Sequence, residues 1–382
     1  MTPARGLIPV LALTLASACS DRERPAATLS VTQTLAGEDT AGYARVAEPR
    51  PFVFPRDHGP HPEYRHEWWY YTGNLNGGHG DIGFQLTFFR SVLSPDPPEL
   101  DSEWSARQAF MAHFALTDVA GSGFRAYERF DRDALGLAGA TTSPFRVWLG
   151  DWVAEEIGPS SVPGTPAVRL RASAADAAMD LRLDPAGPPV PQGVDGYSAK
   201  GPEPGNASLY YSVPWIRAHG TVRVGDVTQE VDGWAWLDRE WGTSALGPEL
   251  AGWDWFSLQL DDGTALMFYR LRREDGSTDR FSAGSVVEAD GHVERLAADD
   301  VAFEVLDHWT SAQGTRYPSA WRLRIARLDL SIEVRPRVPD QELDLTFRYW
   351  EGAVGATGLR GGRPVAGRGY VELTGYADDP ST

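Results

Sequence analysis

The residues best placed to do chemistry lie in GWAWLDREWG, residues 233–242. Trp234 and Trp236 stand two apart, so on a strand they share one face, and Asp238 continues that face two positions later. A carboxyl beside a large apolar ring loses hydration of its charged form. Its pKa rises and it becomes a candidate proton donor. The same spacing also fits core packing, with Asp238-Arg239-Glu240 as a solvated turn holding a local ion pair, and the residues alone leave both readings open. A second Gly-Trp-x-Trp unit follows at 252–255, after a turn-rich break from Gly242 to Gly252.

Histidines supply the next candidates. His113 sits mid-strand in QAFMAHFALT, residues 108–117, on the face away from Phe110, Phe114 and Leu116. Facing into a barrel it joins Gln85 and Thr87 as polar lining; facing outward it is an ordinary surface residue. Parity does not decide between them. His58, His61 and His66 cluster with Asp57, Glu63 and Glu67, but their spacing fits no standard metal set and Pro60 and Pro62 hold the segment extended. A solvated lead-in loop is expected there, with no metal and no cofactor. The sequence has no G-x-S-x-G elbow, Walker loop, CxxC pair or HExxH helix. Ser198-Ala199-Lys200 is too short a pattern to define a serine–lysine dyad.

These groups need strands to position them, and strand signals dominate. The 40 glycines and 28 prolines break any long helix. Short alternating runs at 67–75, 82–91, 108–117, 124–130, 145–154, 168–172, 179–183, 208–214, 219–224 and 231–237 suit an antiparallel barrel. Only 173–178 suits a short helix, and the glycine-rich 352–369 reads as loop. The pattern then restarts: WYYTGNLNGGHGDIGFQLTFFR (69–90) resembles WFSLQLDDGTALMFYRLR (255–272), each opening Trp–aromatic and ending in a strand with Phe–aromatic–Arg. The expectation is all-β, two tandem barrels over 51–245 and 246–382. The aromatic set Trp68, Tyr70, Phe84, Phe88, Tyr210, Tyr211, Trp234 and Trp236 exceeds what plugs a small barrel, which favours an apolar ligand inside.

A chain of 382 residues with 42% hydrophobic composition is long enough for two cores, and its net charge of −18 argues against a nucleic-acid partner. Residues 1–18 carry Arg5, an apolar run and Ala16-Ser17-Ala18, the parts of a secretory signal. Cys19, the only cysteine, follows directly, as in a bacterial lipobox. Export, lipidation of Cys19, a periplasmic location at a bacterial membrane and a flexible tether over 19–50 are expected.

The motifs YRHEWWYYTG (64–73), MAHFA (111–115) and GWAWLDREWG (233–242) resemble the secreted lipocalin-like CrtC/AttH family, over about residues 52–378. That family includes carotenoid 1,2-hydratase and proteins labelled secreted hydrolases. The resemblance implies two lipocalin-like barrels, and an acid–base aspartate two positions after a ring, matched here by Asp238 after Trp236. The hydratases also carry a His-x-Trp pair upstream, where this chain has Leu209 and Tyr211. The implied activity is addition of water across a C=C of an isoprenoid-type molecule. Asp238 would be the acid, with His113, Glu67 or Tyr70 orienting the water. Trp68, Tyr70, Gln85, Tyr211, Trp234 and Trp236 would line the ligand site. The alternatives are an apolar-ligand or lipid carrier serving an ABC export permease, and a hydrolase of unknown substrate.

Overall fold

The computed structural model describes residues 40–96, 102–243, 246–247 and 249–377. The signal segment, Cys19 and most of the expected tether lie outside the described residues. The first sheet begins with β1 (His66–Gly77), β2 (Ile82–Val92), β3 (Gln108–Asp118) and β4 (Gly123–Arg132). It continues through β5 (Ala138–Thr142), β6 (Phe145–Leu149), β7 (Trp152–Gly158), β8 (Ala167–Ser173) and β9 (Ala177–Pro185). Its remaining strands are β10 (Val190–Pro191), β11 (Tyr197–Ala199), β12 (Ala207–Val224) and β13 (Val227–Gly242). Their order is β4-β3-β2-β1-β13-β12-β9-β8-β7-β6-β5, with β10 and β11 on β12. Arg129 on β4 reaches the Leu149 carbonyl on β6 at 3.4 Å, so the sheet curls into a nearly closed barrel.

The second sheet comprises β14 (Leu250–Leu260), β15 (Ala265–Arg273), β16 (Ala283–Val287), β17 (Val293–Ala297), β18 (Ala302–Thr310) and β19 (Arg316–Ile325). It ends with β20 (Leu330–Pro336), β21 (Glu342–Asp344), β22 (Arg348–Arg360) and β23 (Arg363–Leu373). Its order β17-β16-β15-β14-β23-β22-β20-β19-β18 forms a half-barrel, with β21 on β22. The fold is all-β with two lipocalin-like units.

Alternation puts one set of rings inside each unit. Trp69, Tyr71, Phe84, Phe88, Phe114 and Tyr211 fill the first, and Phe256, Trp321, Trp350 and Val371 the second. A third cluster, including Tyr70, Tyr210, Trp236, Trp255, Met267 and Tyr370, packs the outer face of the first sheet against the second.

Several local expectations are corrected. Residues 145–154 form two strands turned at Gly150, where φ is +61°. Residues 208–224 make one strand with a bulge between Val213 and Ile216. Of the 173–178 stretch, residues 174–176 turn between β8 and β9 and the rest is strand. The glycine-rich 352–369 is strand, because β22 and β23 pass too close to neighbours for side chains: a Cβ on Gly369 would lie 1.8 Å from the Ser257 carbonyl oxygen. Asp238-Arg239-Glu240 is mid-strand and buried, not a turn. Part of the expected tether is packed, since Val46 is buried and Tyr43 donates to the Val92 carbonyl at 3.1 Å.

Candidate functional site between the two sheets

Register brings the chemistry into two facing rows. Antiparallel pairing sets His113 opposite Thr87, Thr87 opposite Tyr70, Tyr70 opposite Asp238 and Asp238 opposite Ser212. This row crosses β3, β2, β1, β13 and β12 on the outer face of the first barrel. The second sheet answers with Glu351 opposite Glu372, Glu372 opposite Trp255 and Trp255 opposite Tyr269. Between the rows lies a cavity of about 250 Å³, walled by Trp68, Tyr70, His113, Tyr210, Asp238 and Glu240 from one side and Trp253, Trp255, Tyr349, Glu351 and Glu372 from the other. One water needs roughly 10–15 Å³, so this space suits a small organic molecule.

Asp238 is buried, and burial lifts its pKa from the ordinary 3.8 to about 7 against the pull of its hydrogen bonds. Ser212 donates to Oδ1 at 2.5 Å, Trp236 Nε1 donates to Oδ1 at 2.7 Å, and Tyr210 donates to Oδ2. Trp255 Nε1 fixes the Tyr210 hydroxyl in turn at 3.1 Å. Glu351 and Glu372 are direct cross-strand neighbours, the spacing at which like charges repel. Burial and then Glu372 push Glu351 well above the carboxylate range, while burial raises Glu372 to about 7. Glu351 Oε1 accepts from Tyr70 at 2.5 Å, and Trp253 Nε1 donates to Glu372 at 3.3 Å.

The remaining polar wall is paired or neutral. Lys200, the only lysine, sits 3.1 Å from Glu240 and 4.0 Å over the Tyr269 ring. Burial holds His113 down to about 3, so it is a neutral imidazole whose Nδ1 lies 2.7 Å from the Tyr349 hydroxyl.

The residues singled out in the sequence fall into three groups. Trp68, Tyr70, His113 and Asp238 wall the cavity, and Trp236 braces Asp238. Gln85 lies behind the wall and donates to Tyr349 at 3.3 Å. His113 faces out of its barrel yet is buried, because the second sheet covers it. It stands three strands from Asp238, roughly 14 Å at the usual strand spacing. Glu67 borders the cavity but its carboxylate is taken by Arg239 at 2.6 Å, Arg90 at 2.8 Å and His61 at 2.7 Å. Burial alone would raise its pKa, but the two arginines hold it well below the usual range, so Glu67 is a structural anion. The third group is remote. Tyr211 points into the first core, 2.6 Å from His58 Nδ1, because its neighbour Tyr210 takes the cavity side. Trp234 packs edge-on to Trp215 at 5.1 Å and under Arg217.

The lead-in histidines are not solvated: His58, His61 and His66 are all buried, and His61 stacks on Trp241 at 3.8 Å. Glu351, Glu372, Tyr349 and Trp255 were not anticipated as site residues. A glutamate at each of 351 and 372 next to glycine-rich sequence gives no signal until both strands are known to cross at the site.

The AttH-like family profile matches residues 45–376. The chain belongs to the AttH-like family. A crystal structure described as an AttH from Nitrosomonas europaea is 37% identical, superimposes with a TM-score of 0.76, and covers 87% of this chain and 99% of its own. Kievitone hydratase from Nectria haematococca shares the fold at 16% identity, with a TM-score of 0.66 over 88% of this chain and 97% of its own. No curated protein matches this AttH-like chain by sequence.

Proposed function

We propose that this AttH-like protein adds water across an isolated C=C of an apolar, isoprenoid-type molecule, with Asp238 as acid and base. The observation that carries the reading is a buried carboxyl with a pKa near neutrality, about 7, in the wall of a largely aromatic cavity. Neutral Asp238 gives its proton to one alkene carbon, using the π pair to form the C–H bond. The cation left on the other carbon faces Trp68, Tyr70 and Trp255, and such rings contribute about 0.5–2 kcal/mol each to a desolvated cation. Water then forms the C–O bond and its proton returns to the Asp238 carboxylate, which closes the cycle. General acid catalysis of this kind contributes about 10²–10⁴-fold. The kinship of fold with a hydratase supports the reading.

One observation favours a second reading, a carrier. Ser212, Trp236 and Tyr210 already occupy both oxygens of Asp238, as they would in a purely structural role. In that reading the protein is exported, anchored in a bacterial membrane through lipidated Cys19, and hands an apolar ligand to an ABC export permease. The two separate in one experiment. An apolar extract of the producing cells is incubated with the protein in oxygen-18 water and followed by mass spectrometry. Hydration predicts species that gain one labelled water with the wild type and not with Asp238→Asn. No labelled species, or equal labelling by the variant, removes the hydratase reading.

A further inference from the structure

Three polar atoms on residues lining the cavity are buried without a partner in the protein: Nε2 of His66, Nε2 of His113 and Oε2 of Glu351, the last two on residues each 1% exposed. His66 bonds Ser91 at 3.1 Å, apart from the others, whereas His113 and Glu351 belong to one network. The Tyr349 hydroxyl accepts from Gln85 and lies 2.7 Å from His113 Nδ1, while the other Glu351 oxygen accepts from Tyr70 at 2.5 Å. Tyr349 also lies within hydrogen-bonding reach of the Glu351 carboxyl, but its hydrogen bonds with good geometry go to His113 and Gln85. A buried polar atom left unpaired is costly, so two at one end of an apolar cavity mark a place built for a polar group of the ligand.

The chemistry of that group follows from its surroundings. Five carboxyl residues line the cavity: Glu67, Asp238, Glu240, Glu351 and Glu372. The two cations that touch it are already engaged, Lys200 by Glu240 at 3.1 Å and Arg90 by Glu67 at 2.8 Å. An anionic ligand would find no free counter-charge. A hydroxyl, with one donor and two acceptor positions, satisfies an imidazole nitrogen and a carboxyl oxygen together whenever at least one of the two carries a proton.

We propose that the ligand is an uncharged apolar molecule bearing a hydroxyl, held between His113 Nε2 and Glu351 Oε2, and that the carboxylate of the same skeleton is excluded. The hydroxyl lies at the end of the cavity away from Asp238, up to roughly 14 Å along the sheet, about the reach of a farnesyl chain. This rests on the cavity as the ligand site and not on the hydration step, so it holds for an enzyme and a carrier alike. The neutral state that burial imposes on both groups agrees with an uncharged partner.

Three probes of one skeleton test it: farnesol, farnesoic acid and farnesene, titrated at about pH 8 against the full chain by quenching of tryptophan fluorescence. Farnesol is expected to bind at least about tenfold more tightly than either other probe, the scale of one charge-assisted or two neutral hydrogen bonds. His113→Phe and Glu351→Leu should bring farnesol down to the level of farnesene, whereas Glu351→Gln, a neutral isostere, should keep the preference. Circular dichroism checks that the variants fold, and either loss variant alone suffices. Equal or tighter binding of farnesoic acid, an unchanged farnesol-to-farnesene ratio in a folded loss variant, or no binding of any probe by the wild type overturns the proposal. The preference with no oxygen-18 capture would leave it standing and remove only the hydratase reading.

Discussion

Replacing Asp238 with Asn should stabilise the protein at alkaline pH and slightly destabilise it in acid. The folded-state pKa of Asp238 is about 7 against an ordinary 3.8, raised by burial. Below the lower value both states hold the proton and the native state suffers nothing. As pH rises from there to about 7, the unfolded chain ionises first, so stability falls across that window and levels off above it. Three units of difference amount to about 4 kcal/mol lost by about pH 8. Asn does not titrate and escapes this loss. It keeps an oxygen for Ser212 and Trp236, but its amide meets the Tyr210 hydroxyl donor, which costs about 1 kcal/mol. The variant should thus be about 3 kcal/mol more stable than the wild type at about pH 8, and equal to it between about pH 4 and 5. Urea titration followed by tryptophan fluorescence across this range measures the difference. A variant less stable at alkaline pH, or a difference that does not change with pH, refutes the claim that Asp238 is an unpaired buried acid.

The same pKa predicts that hydration runs best below about pH 7 and falls about tenfold per unit above it as Asp238 loses its proton; initial rates of label capture give the profile. Arg239→Met leaves Glu67 with one arginine and frees the Trp68 and Gly59 carbonyls that Arg239 holds at 2.7 Å, so thermal unfolding should reveal a loss of about 3–5 kcal/mol. An unchanged melting temperature would mean that Glu67 is not the structural anion described. Gly83→Val should part the sheets, since a Cβ there lies 2.6 Å from the Ala353 Cβ and 2.8 Å from the Tyr370 hydroxyl. Farnesol binding should be lost while the β-sheet circular dichroism persists, and retained binding would show that the docking of the sheets does not shape the site.

The strand content, the two units and the face carrying Trp236 and Asp238 were legible because period-two alternation is a local property. What lay opposite that face was not. The sequence favoured a ligand inside a barrel because rings exceeded what a plug needs; the surplus is spent instead on the outer face, where Tyr70 meets Trp255 edge-on at 5.0 Å. Tyr211 matched the place of the hydratases' upstream tryptophan, but the strand's alternation sends it into the first core and its neighbour Tyr210 to the cavity side. Glu351 and Glu372 were hidden by glycines that read as loop, although here glycine serves close strand and sheet contact rather than turning. Glu67 illustrates the converse: its type suited catalysis, and only the positions of Arg90 and Arg239 reveal that its charge is already neutralised.

The distribution of arginine argues that the acids between the sheets are kept for chemistry. Each unit buries a carboxylate with two arginines on its strands, Glu67 with Arg90 and Arg239, and Asp254 with Arg270 and Arg272, and the lead-in does the same for Asp57 with Arg50 and Arg56. The arrangement repeats at matching places in the duplicated hairpins, with Glu67 directly opposite Arg90 on β2 and Asp254 directly opposite Arg270 on β15. The chain thus has a recurring way to neutralise a buried acid, and it does not use it for Asp238, Glu351 or Glu372, which receive only neutral donors from Trp, Tyr and Ser. Their burial lowers stability at neutral pH without a compensating ion pair. Inside the first barrel, the cavity beside His58 and Trp69 measures only about 20 Å³, space for a single water. A large, mostly apolar hollow and the three uncompensated acids therefore coincide, and that coincidence, rather than any single residue, marks the seam as the working part of the molecule.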